Sequence, residues 1–114
     1  MDLDPAANIV VLCTCASAPE AQSLARALVT EQLAACVNVL PGATSIYRWQ
    51  GAVEESAEVL LAIKSSAGLF EELRERIAAL HSYAVPEIVA LPIAAGAPSY
   101  LQWLAGELRA PRSI

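Results

Sequence analysis

Charge is scarce in this chain and unbalanced. Only 17 % of the 114 residues are charged, with seven Lys and Arg against twelve Asp and Glu and a formal net charge of −5. So few cations exclude a general nucleic-acid binder, whose affinity rests on neutralising phosphates. There is one histidine, His81, and no aspartate follows Asp4. A Ser-His-Asp set is therefore missing, with Glu87 the acid that would have to orient His81, and the chain reads as a non-enzyme. None of the five glycines forms a glycine-rich phosphate loop. The three cysteines, Cys13, Cys15 and Cys36, are an odd number. That is poor material for a disulfide framework and fits thiols in a reducing compartment. No long apolar run is uninterrupted. The longest uncharged stretch, the 19 residues from Ile88 to Gly106, has the length of a membrane span, but Pro92, Gly96, Pro98 and Gly106 break it. Asp2 and Asp4 stand where a secretory signal needs positive charge. These absences together point to a cytoplasmic protein that engages neither membrane nor nucleic acid.

What the chain has in excess is apolar residues, 56 % of the total, against about 45–50 % in ordinary soluble domains. A domain this small buries only about 60–70 % of the surface its unfolded chain exposes. The surplus is expected to lie in an interface between copies of the chain.

The pattern predicts the elements. Residues 1–8 read as a loose leader and 9–114 as a single domain. Ile9 to Cys15 is apolar at both parities, the mark of a strand covered on both faces. Ser17 and Glu20 form a capping box for a helix to about Leu33, with Ala21, Leu24, Ala25, Leu28 and Val29 as its apolar stripe. A second strand runs from Cys36 to Leu40 and ends at a Pro41-Gly42 turn. Thr44–Gln50 and Val53–Lys64 form an extended hairpin about Gly51. A second helix follows, from Ser65 or Ser66 to about Leu80, with Glu71, Glu72 and Glu75 on its open face; these and Glu54, Glu55 and Glu58 read as solvated faces. Glu87–Ile93 is the last long strand, and Ser99 caps a C-terminal helix. This order is an α+β, ferredoxin-like split βαβ sandwich with both long helices on one sheet face. The other face is bare yet apolar, so a second copy of the chain is expected to cover it.

The same residues carry a family resemblance. The stretches Leu33-Ala-Ala-Cys-Val-Asn-Val-Leu-Pro-Gly42 and Thr44-Ser-Ile-Tyr-Arg-Trp-Gln-Gly51, then Glu58 and Lys64, then His81-x-Tyr83-x-Val-Pro-Glu87, Leu91-Pro92-Ile93, Gly96 and Tyr100-Leu-x-Trp-Leu104 follow in order along nearly the whole chain. In this it resembles the CutA family of divalent-cation tolerance proteins. The resemblance implies a ferredoxin-like homotrimer with PII-like architecture, located in the cytoplasm and linked to copper or another divalent cation.

Two constellations are candidate sites. Cys13 and Cys15 lie two apart on a strand, so both thiols share one face, and thiolate with imidazole suits soft metals. The resemblance implies copper ligands at Cys13 and His81. A second histidine found beside the latter in some relatives is Leu80 here, and the proline often found after it is Ser82. Cys15 offers an additional thiolate. Cys36 reads as core. The second constellation is Tyr47, Trp49, Lys64, Tyr83, Glu87, Tyr100 and Trp103. It reads either as packing between subunits or as a pocket of a small-molecule sensor or trimeric scaffold, with Lys64 and Glu87 forming an ion pair in an intersubunit cleft or lining a small-anion site. The oligomer is checked by light scattering at micromolar concentration: the mass of a trimer is expected, and a monomer mass contradicts the packing argument.

Overall fold

The structure, a computed structural model, describes residues 3–112. Its elements are β1 (Asn8–Cys15), α1 (Ala18–Thr30), β2 (Cys36–Trp49), β3 (Ala52–Ser66), a 3-10 turn (Ala67–Leu69), α2 (Phe70–Leu80), β4 (Val89–Pro92) and α3 (Pro98–Gly106). The sheet order is β2-β3-β1-β4 and every pairing is antiparallel. This is the ferredoxin-like arrangement that the order of elements predicts.

Strand β1 is central and its burial alternates strictly. Ile9, Val11, Cys13 and Cys15 are fully buried, while Val10, Leu12 and Thr14 on the opposite face are half-buried. Strand β3 repeats the alternation with Val59, Leu61 and Ile63 facing inward. Helix α1 lays Ala21, Leu24, Ala25 and Leu28 on this face, and α2 adds Leu73 and Ile77. The other sheet face and the β4 edge leave Leu40, Val89 and Leu91 exposed.

Several local expectations are corrected. Helix α1 stops at Thr30, short of Leu33, because Gln32 adopts a left-handed φ of 58°. The Leu33 N–H then donates to Leu28 O (3.0 Å) and Gln32 N–H to Val29 O (3.1 Å), the Schellman pattern that closes a helix. Val29, expected on the apolar stripe, is 41 % exposed. Pro41-Gly42 does not end a strand. Cys36–Trp49 is one continuous strand whose register slips by a residue between Leu40 and Ala43, with Gly42 at φ 87°. A bulge absorbs the extra residue, and Pro41 is tolerated because β2 lies at the sheet edge. The hairpin turn is Gln50-Gly51, both at positive φ, as a two-residue turn between twisted strands requires. Strand β4 is shorter than Glu87–Ile93, and α3 begins at Pro98 with Ala97, not Ser99, at its N-cap. The long hairpin projects, and the radius of gyration is 14.6 Å, against about 13 Å for a compact chain of this length.

At the N-terminus, Pro5 O accepts from Gly68 N–H (2.9 Å) and Ala7 O from Ala67 N–H (2.8 Å). Residues 1 and 2 of the expected leader lie outside the described residues.

Glu72 is not on a solvated face. It is buried beneath the segment after α3, where its carboxylate accepts from the Arg112 backbone N–H (3.0 Å) and the Arg109 guanidinium (2.8 Å). The Arg112 N–H holds its pKa below the usual carboxylate range against the opposing effect of burial, and Arg109 adds to the lowering. A lowered folded pKa contributes stability above the unfolded value and loses it as pH falls through the folded one. Glu72→Gln is therefore expected to lower the urea midpoint at pH 7, with the deficit shrinking as pH drops below the ordinary carboxylate range. An equal deficit at pH 7 and pH 3 contradicts this role.

Candidate metal centre and the neighbouring cleft

The C-terminal end of β1 meets the start of α1 and the end of α2. Ser17 caps α1 by accepting from Glu20 N–H (3.3 Å). The Glu20 carboxylate turns back to accept from Ala16 N–H (3.2 Å), one residue before the cap itself. Its other oxygen accepts from the Ser82 backbone N–H (2.8 Å), which ties the segment after α2 to the start of α1. Partial burial would raise the Glu20 pKa, but the hydrogen bonds from Ser82 and Ala16 outweigh it and hold the carboxyl below its ordinary value.

This clamp brings His81, the C-cap of α2, over the end of β1. The sulfurs of Cys13 and Cys15 and a ring nitrogen of His81 all lie within 4.8 Å of one another. His81 Nε2 is 3.8 Å from Cys15 Sγ and 2.8 Å from the Thr14 carbonyl oxygen. Nδ1 accepts from the Tyr83 backbone N–H (3.0 Å). A backbone N–H can only donate, so Nδ1 carries the lone pair and Nε2 carries the proton, which it gives to Thr14 O. The two thiols are fully buried. The adjacent Cys15 thiol, then burial, pushes the Cys13 thiol far above its usual pKa, while the adjacent Cys13 thiol lowers Cys15. Two sulfurs and one imidazole nitrogen form a soft donor set suited to Cu(I) or Zn(II). The Cys15–His81 separation of 3.8 Å lies within the roughly 3.5–4.6 Å that separates ligands around one such ion at bonds of about 2.0–2.3 Å, and the outer bound of 4.8 Å for the group is just beyond it. The residues present fit a soft ion after a small contraction.

Thr14 stands between the two cysteines and faces the other way, into a cleft of about 720 Å³. Tyr47, Trp49, Glu58, Tyr83 and Glu87 line it with Thr14. The Tyr83 hydroxyl donates to Glu58 Oε2 at 2.7 Å. Burial first, and then this bond, raise the Tyr83 pKa, so the phenol stays a donor. Tyr47 Oη lies 2.9 Å from Ser56 Oγ. The ring of Tyr83 also packs on that of His81, with centroids 4.8 Å apart. Residues 81–83 thus join the thiol cluster on the inner sheet face to the cleft on the outer one.

The structure gathers Cys13, Cys15 and His81 as one group and Tyr47, Trp49, Tyr83 and Glu87 as another. Lys64, Tyr100 and Trp103 do not join the cleft within one chain. Lys64 pairs with Val10 and Cys36, nearer the opposite end of the sheet, and its ammonium donates to Asn38 Oδ1. Tyr100 and Trp103 pack on each other on α3, with centroids 5.6 Å apart. Within the chain Lys64 makes no ion pair with Glu87 among the described residues. Cys36 is half-buried and not part of the core cluster. Sequence reasoning missed two residues. Glu58, read as part of a solvated run, is 9 % exposed; its parity with Leu60 and Ala62, opposite the buried Val59, was the available signal. Glu20 was read only as a cap, and nothing in the sequence announces its bond to Ser82.

Comparison with known proteins follows this geometry. The family described as "CutA1 divalent ion tolerance protein" matches residues 9–107. The divalent-cation tolerance protein CutA of Thermus thermophilus is 59 % identical over 95 residues, covering 83 % of this chain and 92 % of that protein. The chloroplastic protein CutA of Arabidopsis thaliana is 45 % identical over 102 residues; the match covers 90 % of this chain but only 56 % of the plant protein, which is much longer. The solved Thermus thermophilus structure superposes with a TM-score of 0.88 at 55 % identity, covering 90 % of this chain and 99 % of that one.

The clamp has a direct test. In the native protein Cys13 and Cys15 are expected to react with a water-soluble aromatic disulfide far more slowly than in the unfolded chain. Glu20→Ala, which frees Ser82, is expected to accelerate them several-fold at unchanged helix content. Equal rates in variant and parent contradict the clamp.

Proposed function

The chain belongs to the CutA1 family of divalent ion tolerance proteins, and from that premise we propose that it serves tolerance by capturing a soft metal ion, copper first among them, at Cys13, Cys15 and His81. The observation that carries this reading is the convergence of three soft donor atoms within 4.8 Å at one strand end. Cys15 takes the place of the second histidine, absent at Leu80.

The chain's own residues set the terms of capture. Both thiols must lose protons, and with Cys13 raised and Cys15 lowered by their proximity the first leaves most easily from Cys15. Ligation through His81 Nε2 needs that nitrogen's lone pair. Its proton must leave Thr14 O, and a neutral ring then carries its proton on Nδ1. Nδ1–H would face the Tyr83 N–H, donor against donor, so residues 82–83 must turn aside. Capture is thereby coupled to movement of the segment that Glu20 holds.

We read the protein as a binder and not a catalyst, since Nδ1 of His81 is oriented by a backbone N–H where a catalytic dyad needs a carboxylate. We further place it in the cytoplasm as a homotrimer. Exposed Leu40, Val89 and Leu91 on the sheet, with Ile46 and Val53 on the projecting hairpin, form an apolar surface suited to burial between copies. No helix among the described residues is long and apolar enough to cross a membrane.

Competition against a chromophoric chelator under reducing conditions tests the site, with Cu(I) and Zn(II) as separate probes. Cys13→Ser, Cys15→Ser and His81→Ala are each expected to weaken binding at least tenfold while circular dichroism stays native. Parent-like affinity in all three contradicts the assignment.

A further inference from the structure

We propose that residues 81–83 are a gate over the thiol cluster, and that the hydrogen bond from Tyr83 to Glu58 on the opposite sheet face is the latch that keeps it shut. The gate regulates the metal site proposed above and in that respect rests on that reading. Its geometry belongs to the metal-free chain and is testable there.

The gate is a short stretch gripped from both faces of the sheet. Helix α2 ends at His81, whose extended backbone (φ −82°, ψ 144°) leaves the helix while its N–H still donates to Ile77 O at 2.9 Å. The next regular element, β4, starts only at Val89. On the inner side, His81 Nε2 rests on Thr14 O and the Ser82 N–H on the Glu20 carboxylate. On the outer side, the Tyr83 hydroxyl donates to Glu58 Oε2 at 2.7 Å. Glu58 is next along β3 to Val59, the strand partner of Cys15. The latch thus lies across the sheet from the end of β1 that carries the thiols.

These contacts hold the closed form and not the ligating one. Nε2 gives its proton to Thr14 O, so its lone pair is not offered to an ion. To ligate, the imidazole must change tautomer and the Tyr83 N–H must leave Nδ1. The Tyr83 ring packs on the imidazole with centroids 4.8 Å apart, which ties the motion of one ring to the other. A short hydrogen bond to a charged acceptor is stronger than one between neutral groups, so the Tyr83–Glu58 bond lowers the open fraction. Apparent affinity falls with the competent fraction. By linkage, an ion that takes His81 loosens Tyr83 from Glu58 by the same factor. None of this needs an open cleft. The bond lies within one chain, and a second copy laid over the outer face shields it from water, where a hydrogen bond is electrostatically stronger.

Thiol reactivity of the whole metal-free protein toward a water-soluble aromatic disulfide, in a Cys36→Ala background, tests the gate. Tyr83→Phe removes the hydroxyl and keeps the ring; it is expected to accelerate Cys13 and Cys15 several-fold. Glu58→Gln keeps an acceptor without its charge and is expected to accelerate them less. Tyr47→Phe is the control, since Tyr47 lines the same cleft but pairs with Ser56; its rates are expected to match the parent's. Unchanged rates in both Tyr83→Phe and Glu58→Gln overturn the latch. So does equal acceleration in Tyr47→Phe, or acceleration that appears only with loss of the parent's mass in light scattering. Zn(II) competition against a chelator is the second arm. Tyr83→Phe is expected to bind several-fold tighter than the parent, and saturating Zn(II) to shift the carbon NMR signal of Tyr83 Cζ but not that of Tyr100. Weaker binding by Tyr83→Phe, or an unmoved Tyr83 signal in the saturated parent, overturns the proposal. Failure of the parent to bind Zn(II) or Cu(I) defeats the metal reading instead, and the metal-free rates alone then decide the gate.

Discussion

The register of β1 is the constraint on which the rest of the molecule depends. The strand is paired on both sides, with β3 and β4, and period two sends Ile9, Val11, Cys13 and Cys15 into the core and Val10, Leu12 and Thr14 to the other face. A slip of one residue would put Leu12 and Thr14 inside and both thiols outside. The core and the thiol cluster are thus specified by the same alternation. The buried thiols are held by the packing that stabilises the sheet, and Thr14 between them separates the thiol cluster from the cleft.

One short segment spans that divide. Residues 81–83 present His81 to the sulfurs, give a backbone N–H to Glu20, and set Tyr83 against Glu58 in the cleft. The soft cluster and the acidic aromatic cleft therefore share backbone, though they share no ligand. A change in the bonding of the imidazole has a direct mechanical route to the tyrosine hydroxyl two residues later.

Much of the fold was legible from local pattern. Alternation gave the two-faced strands, the helical period gave α1 and α2, and the order of elements gave the sheet. The errors fall where a tertiary partner overrides local chemistry. Pro41-Gly42 reads as a turn from its residue types alone, yet the edge position of β2 lets the strand continue through a bulge. Glu72 reads as solvated because the segment that buries it arrives some forty residues later, bearing Arg109 and Arg112. At the site, the shared face of Cys13 and Cys15 follows from their spacing. The approach of His81 does not, since it depends on Glu20 clasping Ser82 across 62 residues. The aromatic set divided for a similar reason: proximity to strand ends says nothing about which end, and Lys64 sits toward the end away from Glu58 and Tyr83.

X-ray absorption at the metal edge of the reduced protein, loaded with one Zn(II) or Cu(I) per chain, tests the central claim most directly. The account predicts a shell of two sulfurs, at about 2.3 Å for zinc, with one imidazole nitrogen, and loss of sulfur intensity in Cys13→Ser and Cys15→Ser. A shell of oxygen and nitrogen alone, unchanged in the two variants, would contradict it.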